Sequence, residues 1–125
     1  MIVVDVTFAT DQPDVNEKEL GRHLFGSGPV LQRGSTLDPA IFELMHETAE
    51  AEGIPFTVTA SARATGTDAD AIHASRGGIP SGVVSIPLRY MHSPVEMVDL
   101  GDVEATIELI AAFALTLEPG LDLRP

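Results

Sequence analysis

The chain has no cysteine and no tryptophan, a single tyrosine and a single lysine, and each shortage closes off a class of chemistry. Without cysteine there are neither disulfides nor thiolate ligands, so any metal must be held by His, Asp or Glu. With one tyrosine and no tryptophan, the aromatic platforms on which sugar rings rest are missing. The acidic residues also give no reason to pair across a glycosidic bond, which argues against a glycosidase. Lys18 is the only lysine, and Arg22, Arg33, Arg63, Arg76, Arg89 and Arg124 are scattered singly, so no basic cluster exists to neutralise phosphates and a nucleic-acid partner is not expected. No apolar run approaches the roughly 20 residues of a membrane span. No basic stretch leads into an apolar core and cleavage site, so no membrane partner and a cytoplasmic location are expected. There is no G-x-S-x-G elbow, no internal repeat and no low-complexity segment.

What is present is acid and apolar bulk. Nineteen acidic against seven basic residues give a formal charge of -12, which favours solubility, in high salt as elsewhere. A hydrophobic fraction of 44% and a mean hydropathy of +0.17 are those of a chain that folds. At 125 residues it has room for one domain with a real core. The expected division is a single α/β domain over residues 1–118 and a tail over residues 119–125.

Strands and helices alternate in the pattern of an α/β layer structure, a mixed sheet with flanking helices. Residues 2–9 read as a strand in which Val3, Asp5 and Thr7 share one face and Ile2, Val4, Val6 and Phe8 the other. Residues 21–34 are rich in glycine and polar side chains and are expected to loop across an exposed edge, with a short strand at 30–33. Thr36 or Asp38 caps a helix with Pro39 in its first turn; Ile41, Leu44, Met45, Thr48 and Ala49 line one face until Gly53 ends it. Residues 56–60 and 82–86 are further strands, with a short helix from Thr67 to about residue 75 between them and a fourth strand at 95–100. Asp99 or Asp102 starts the last helix, whose apolar stripe is read as Val103, Ile107, Ile110, Ala111 and Ala114.

Asp5 stands inside an apolar strand, where an ionised carboxylate costs several kcal/mol unless a metal ion or a hydrogen-bond network compensates it. It is either a ligand or an aspartate satisfied by backbone amides or by Arg89. His92 lies in a loop between two predicted strands, and a neutral imidazole is the commonest protein ligand for zinc, although a lone histidine more often has no special role. Gly66-Thr67-Asp68 can form an anion- or substrate-facing loop at a helix N-terminus, or simply cap that helix. His46 and Glu50 have a metal-compatible i, i+4 spacing on a face crowded with Glu43 and Glu47, which reads as solvated surface. His23 and His73 have no partner to argue from.

Several blocks resemble, in order and spacing, the C-terminal part of the catalytic domain of the co-catalytic dinuclear zinc aminopeptidases, the glutamyl aminopeptidase, tetrahedral aminopeptidase and "cellulase M" group. These are Val4-Asp5-Val6-Thr7 with Asp11 and Pro13, residues 26–29, residues 49–55, Gly66-Thr67-Asp68-Ala69 and Gly78-Ile79-Pro80-Ser81. Arg89-Tyr90-Met91-His92-Ser93-Pro94 with Glu96 is the most specific of them, and Asp102 follows it. The similarity runs over nearly the whole chain.

The resemblance implies a partial zinc-peptidase catalytic domain. In the family the aspartate matching Asp5 binds one of two metal ions, zinc or alternatively cobalt, and the histidine matching His92 binds the other. The ions activate a bridging water that attacks the first peptide bond while a glutamate acts as general base. The segment matching Gly66, Thr67 and Asp68 lies beside the substrate. The family's first histidine ligand, bridging aspartate and adjacent glutamate pair lie upstream of the strand with which this sequence begins, so no catalytic residue is assigned here. Two ligands on different ions complete neither coordination sphere, since catalytic zinc needs about three protein ligands. The expectation is therefore weak or absent zinc binding and very poor peptidase activity alone, with activity requiring an upstream catalytic segment. Uncovered strand edges also lead to an expected homo-oligomer. A non-catalytic structural or interaction module derived from the family is the alternative.

Overall fold

The computed structural model describes residues 1–123, so Arg124 and Pro125 of the expected tail lie outside the described residues. Among the described residues nine elements follow in order: β1 (Ile2–Phe8), α1 (Glu17–Leu20), β2 (Val30–Gly34), α2 (Pro39–Glu52), β3 (Thr57–Ser61), α3 (Ala69–His73), β4 (Gly82–Arg89), β5 (Met97–Val98) and α4 (Leu100–Thr116). The strands form one mixed open sheet in the order β1-β4-β2-β3, with β5 pairing β4. β1 runs parallel to β4 with Asp5 opposite Ser85, and β2 runs antiparallel to β4 with Val30 opposite Ser85. β3 is parallel to β2, and β5 is antiparallel to the end of β4. The expected α/β layering with a mixed sheet and flanking helices is the observed one.

One face of the sheet carries the main core. Leu31 and Val84, opposite each other on β2 and β4, pack with Ile41, Phe42, Met45 and Ala49 of α2 and with Ala105, Leu109 and Phe113 of α4. α2 begins where the Asp38 carboxylate accepts the Ile41 N–H at 3.0 Å and Pro39 presets the first turn. It ends at Gly53, whose left-handed conformation (φ 66°) lets the next amide, of Ile54, return to the Ala49 carbonyl at 2.9 Å. In α4 the buried stripe is not the expected one of Val103, Ile107, Ile110, Ala111 and Ala114. Asp102, Ala105, Thr106, Leu109 and Phe113 are buried, whereas Ile107 is 61% exposed. The helix is apolar on nearly every side, so periodicity alone cannot fix which side faces inward.

The expected loop over an exposed edge is also overturned. β2 lies inside the sheet, and residues 21–29 are largely packed: Pro29 is fully buried and His23 is 2% exposed. Two buried side chains hold this segment. The His23 amide donates to Thr10 Oγ1 at 2.9 Å, Thr57 Oγ1 lies 2.7 Å from Nδ1, and Nε2 lies 2.8 Å from the Leu20 carbonyl. A carbonyl only accepts, so Nε2 carries the proton and Nδ1 takes the threonine hydroxyl's. Burial pushes the His23 pKa down and keeps the ring neutral. Asp102 accepts the amides of Gly26 at 3.0 Å and Gly28 at 2.7 Å, tying the loop to α4. Burial raises the Asp102 pKa against these two hydrogen bonds.

The predicted strand at 95–100 shrinks to Met97–Val98, and β4 runs on to Arg89 through Pro87. Proline offers no N–H, but β2 pairs β4 only as far as Ser85 and pairing with β5 begins at Leu88, so Pro87 falls in the gap. In the tail a turn from Glu118 to Leu121 precedes Leu123, which packs against the main core. Among the described residues no helix is long and apolar enough to cross a membrane.

Candidate functional site

The second face of the sheet carries a smaller apolar cluster, Leu37, Ala69 and Val83 with Val3 packed against it, and beside that cluster a polar area. The strand period of two puts Asp5 and Thr7 of β1, Ser85 of β4, Gln32 of β2, and Thr59 and Ser61 of β3 on this side, and registry brings them together. Gln32 Nε2 donates to Ser61 Oγ at 2.6 Å, which fixes the amide across the floor. Above the floor is an open depression of about 420 Å³, walled by Thr65-Gly66-Thr67, by Met91 and His92, and by Glu19 and Leu20 of α1.

Four of the five residues singled out from the sequence, Asp5, Gly66, Thr67 and His92, line this depression. Asp68 does not; it is exposed, and its side chain makes no cap to α3. Asp5 is half-buried rather than enclosed, and its only described hydrogen bond is from the next amide, Val6 N–H to Oδ1 at 2.7 Å. Arg89 does not compensate it, because Arg89 is paired with Asp11. The His92 ring has no protein partner among the described residues, so its nitrogens, like the second Asp5 oxygen, are left without intramolecular competition. As donors both suit zinc. No group of three or more such side chains exists among the described residues, so the donors of this chain do not by themselves close a coordination sphere.

The threonine loop is held by Asp70, at the start of α3. The Asp70 carboxylate accepts the amides of Thr65 and Gly66 at 2.9 Å each, and the hydroxyls of Thr65 at 2.9 Å and Thr36 at 3.0 Å. These bonds, led by that from the Thr65 amide, hold its pKa below the ordinary aspartate value. They also bear on the anion-binding reading. The Gly66 amide is taken by Asp70, and the amides of Thr67 and Ala69 are taken by the hydroxyls of Thr65 and Thr67 at 3.3 and 3.2 Å. The amides of Gly66, Thr67 and Ala69 are thus satisfied within the loop.

The histidine loop is anchored just before it begins. Arg89 Nε donates to Asp11 Oδ1 at 3.2 Å, its terminal nitrogen donates to Oδ2, and its guanidinium lies 4.1 Å from the centre of the Phe25 ring. The arginine contact is the main cause of the lowered Asp11 pKa. Beyond this anchor Tyr90 and His92 both adopt left-handed backbone conformations, φ 58° and 66°, each costing roughly 1–3 kcal/mol in a residue with a side chain. The Tyr90 amide donates to Gln12 Oε1 at 2.7 Å, and the His92 amide to Glu96 Oε1 at 2.7 Å.

His46 and His73 stand apart from the site. His46 is half-buried, 4.9 Å edge-on to the Phe56 ring and 3.7 Å from Glu50, and His73 is exposed. Several residues of the depression went unread. The polar alternation Thr57, Thr59, Ser61 was a usable signal for the floor, whereas nothing in the sequence brings Glu19 to the rim.

The M42 glutamyl aminopeptidase family model matches residues 1–109. A lysyl aminopeptidase of Pyrococcus furiosus is 41% identical over 124 residues, which are 99% of this chain and 35% of that protein. The crystal structure of a TET aminopeptidase from a marine sediment archaeon of the Thaumarchaeota superposes with a TM-score of 0.83 at 31% identity, over 94% of this chain and 33% of the other. The TET1 peptidase of Pyrococcus horikoshii, which assembles into a tetrahedron or a large octahedral shell, matches with a TM-score of 0.69 at 26% identity, over 93% of this chain and 33% of the other. The chain thus spans about a third of the length of these relatives. Matched by the family model over most of its length, and sharing the fold of these solved structures, the chain belongs to the M42 glutamyl aminopeptidase family.

Proposed function

We propose that this chain supplies one wall of a dinuclear metalloaminopeptidase site, completed by a complementary catalytic segment that brings the remaining ligands and the general base. The observation that carries the reading is the meeting of Asp5 and His92 at one depression, both with donor atoms left over, on a floor of neutral hydroxyls and one amide. In this reading Asp5 binds one divalent ion and His92 the other. The ions, zinc or alternatively cobalt, supply an activated water for hydrolysis of the first peptide bond. The chain's own residues orient the two donors and shape the substrate side through Gly66 and Thr67, while Asp68, turned to solvent, takes no part. Alone the chain binds zinc weakly and removes N-terminal residues very poorly.

The test is reconstitution. The chain is combined with the portion of the Pyrococcus furiosus lysyl aminopeptidase that it does not match, and zinc-dependent release of N-terminal residues from aminoacyl substrates is followed. The reading expects activity that disappears in Asp5→Ala and in His92→Ala. A stable complex without activity, or activity indifferent to both substitutions, would sink it.

A specific observation favours a second reading, that of a structural or interaction module. β1 is an edge strand whose helix-side residues Val4, Val6 and Phe8 are exposed, and α4 turns Leu100, Ile107 and Leu115 to solvent. Such surfaces mark association, and the expected partner is a second copy or the complementary segment. A stable metal-free oligomer in sedimentation velocity favours this module, whereas a monomer throughout the accessible concentration range removes self-association.

A further inference from the structure

The histidine loop is built with more constraint than a solvent-exposed hairpin needs. Among the described residues four non-glycine positions have positive φ, namely Asp14, Arg76, Tyr90 and His92, and two of them stand in this loop with one residue between them. Both are pinned in the same manner: a side-chain oxygen accepts the main-chain N–H of the strained residue, Gln12 at Tyr90 and Glu96 at His92, each at 2.7 Å. Left-handed residues with side chains persist where surrounding structure over-determines them. Here the over-determination comes from two polar side chains, because His92 and Glu96 are themselves exposed and no core packing holds them.

We propose that Glu96 is a positioning residue for His92, with Gln12 acting in support at Tyr90. By accepting the His92 amide, the Glu96 carboxylate holds that residue left-handed, and this conformation directs the imidazole to the depression that Asp5 also lines. Gln12 does the same at Tyr90, from the segment that also carries the Asp11 partner of Arg89. The start of the loop, Arg89 and Tyr90, is therefore registered on the chain that follows β1, the strand that bears Asp5, while Glu96 holds His92 from within the loop. The consequence for a ligand is pre-organisation: the imidazole need not recruit its backbone geometry when a metal arrives. The claim that the positioned imidazole serves a metal rests on the reading of the site given above.

Two readouts on the intact chain separate this proposal from that reading. The first is the His92 backbone, through its chemical shifts and the HN–Hα coupling that reports φ, without metal. The second is zinc affinity by calorimetry, measured alone and with the complementary segment. Glu96→Ala removes the acceptor, whereas Glu96→Gln keeps an oxygen at the same reach. The expected result is loss of the left-handed signature in Glu96→Ala, retention in Glu96→Gln, and zinc affinity weakened by about 10- to 100-fold only in the alanine variant. The thermal transition should barely move in either, because Glu96 lies outside the core. Retention of the signature in Glu96→Ala overturns the proposal. So does a loss as large in Glu96→Gln, which would make charge, not the accepted hydrogen bond, the active feature. If zinc binding is indifferent to His92→Ala, the metal reading falls while the backbone signature still decides whether Glu96 positions His92.

Discussion

Helices α2 and α4 share one core on the same side of the sheet, yet only α2 presents a surface suited to water. Its Ile41, Phe42, Met45 and Ala49 are buried, Asp38 and Gly53 close its ends, and Glu43, Glu47 and Glu50 occupy the outward positions. α4 buries a comparable stripe but leaves Ile107 and Leu115 61% and 88% exposed. The edge strand β1 is left in the same condition, with Val4 50% exposed. The difference separates a surface that folding alone satisfies from one suited to a further polypeptide. The two halves of the molecule should accordingly respond differently to substitution.

The largest effect is expected where the two helices are tied together. Gly28 donates its amide to Asp102 on α4, has φ 79°, and would bring a Cβ within 1.9 Å of the Pro55 carbonyl oxygen just beyond α2. Gly28→Ala forces that backbone apart and strains the left-handed residue, so a loss of roughly 4 kcal/mol or more is expected in urea unfolding. A loss under about 1 kcal/mol would mean that the loop and Pro55 do not approach as described.

A pair on α4 sharpens the contrast directly. Leu109 is fully buried and Ile107, two positions before it, faces solvent. Leu109→Ala should cost about 2–5 kcal/mol, and Ile107→Ala no more than about 0.5 kcal/mol. Equal losses at low protein concentration would break the comparison, because the outer face of α4 would then be covered within a single chain. Val6→Lys on β1 belongs to the same test. It should leave folding within about 0.5 kcal/mol of the parent while abolishing self-association or capture of the complementary segment, as read in sedimentation velocity.

What could be read from the sequence follows the same division. α2 was legible because Asp38, Pro39 and Gly53 mark its ends and its polar residues single out one inner face. α4 was legible as a helix but not in orientation, since Ile107 and Leu109 are equally apolar and only tertiary packing chooses between them. The Asp5 face of β1 could be read from its alternation, and the family blocks singled out His92. The supports of the site could not be read as such. Asp70, Gln12 and Glu96 act through hydrogen bonds to loop amides, and such bonds depend on backbone conformations that carry no periodic signal. The buried loop at 21–29 was misread because its glycines and polar residues look solvated until His23 and Asp102 are seen to satisfy them.

The smallest expected effect is a difference in the sign of pH dependence between the site loops and α4. Asp11 and Asp70 have pKa values held below 3.8, Asp11 chiefly by Arg89 and Asp70 chiefly by the Thr65 amide. Their contribution to stability is complete above the unfolded value and is lost as the pH falls through their lower folded values. Asp102 has the opposite sign: burial raises its pKa above 3.8, so its contribution is complete below that value and is lost as the pH rises through the folded pKa. In unfolding measurements between about pH 3 and 7, Asp11→Asn and Asp70→Asn should flatten the loss of stability on acidification. Asp102→Asn should steepen it, because protonation of this buried carboxyl no longer offsets the loss of the other two. Parallel curves for all three variants would show that these carboxylates do not differ in linkage. The same curves with Asp102→Asn flattened instead would place its folded pKa below the unfolded one, and the two amides of the glycine loop would then outweigh burial.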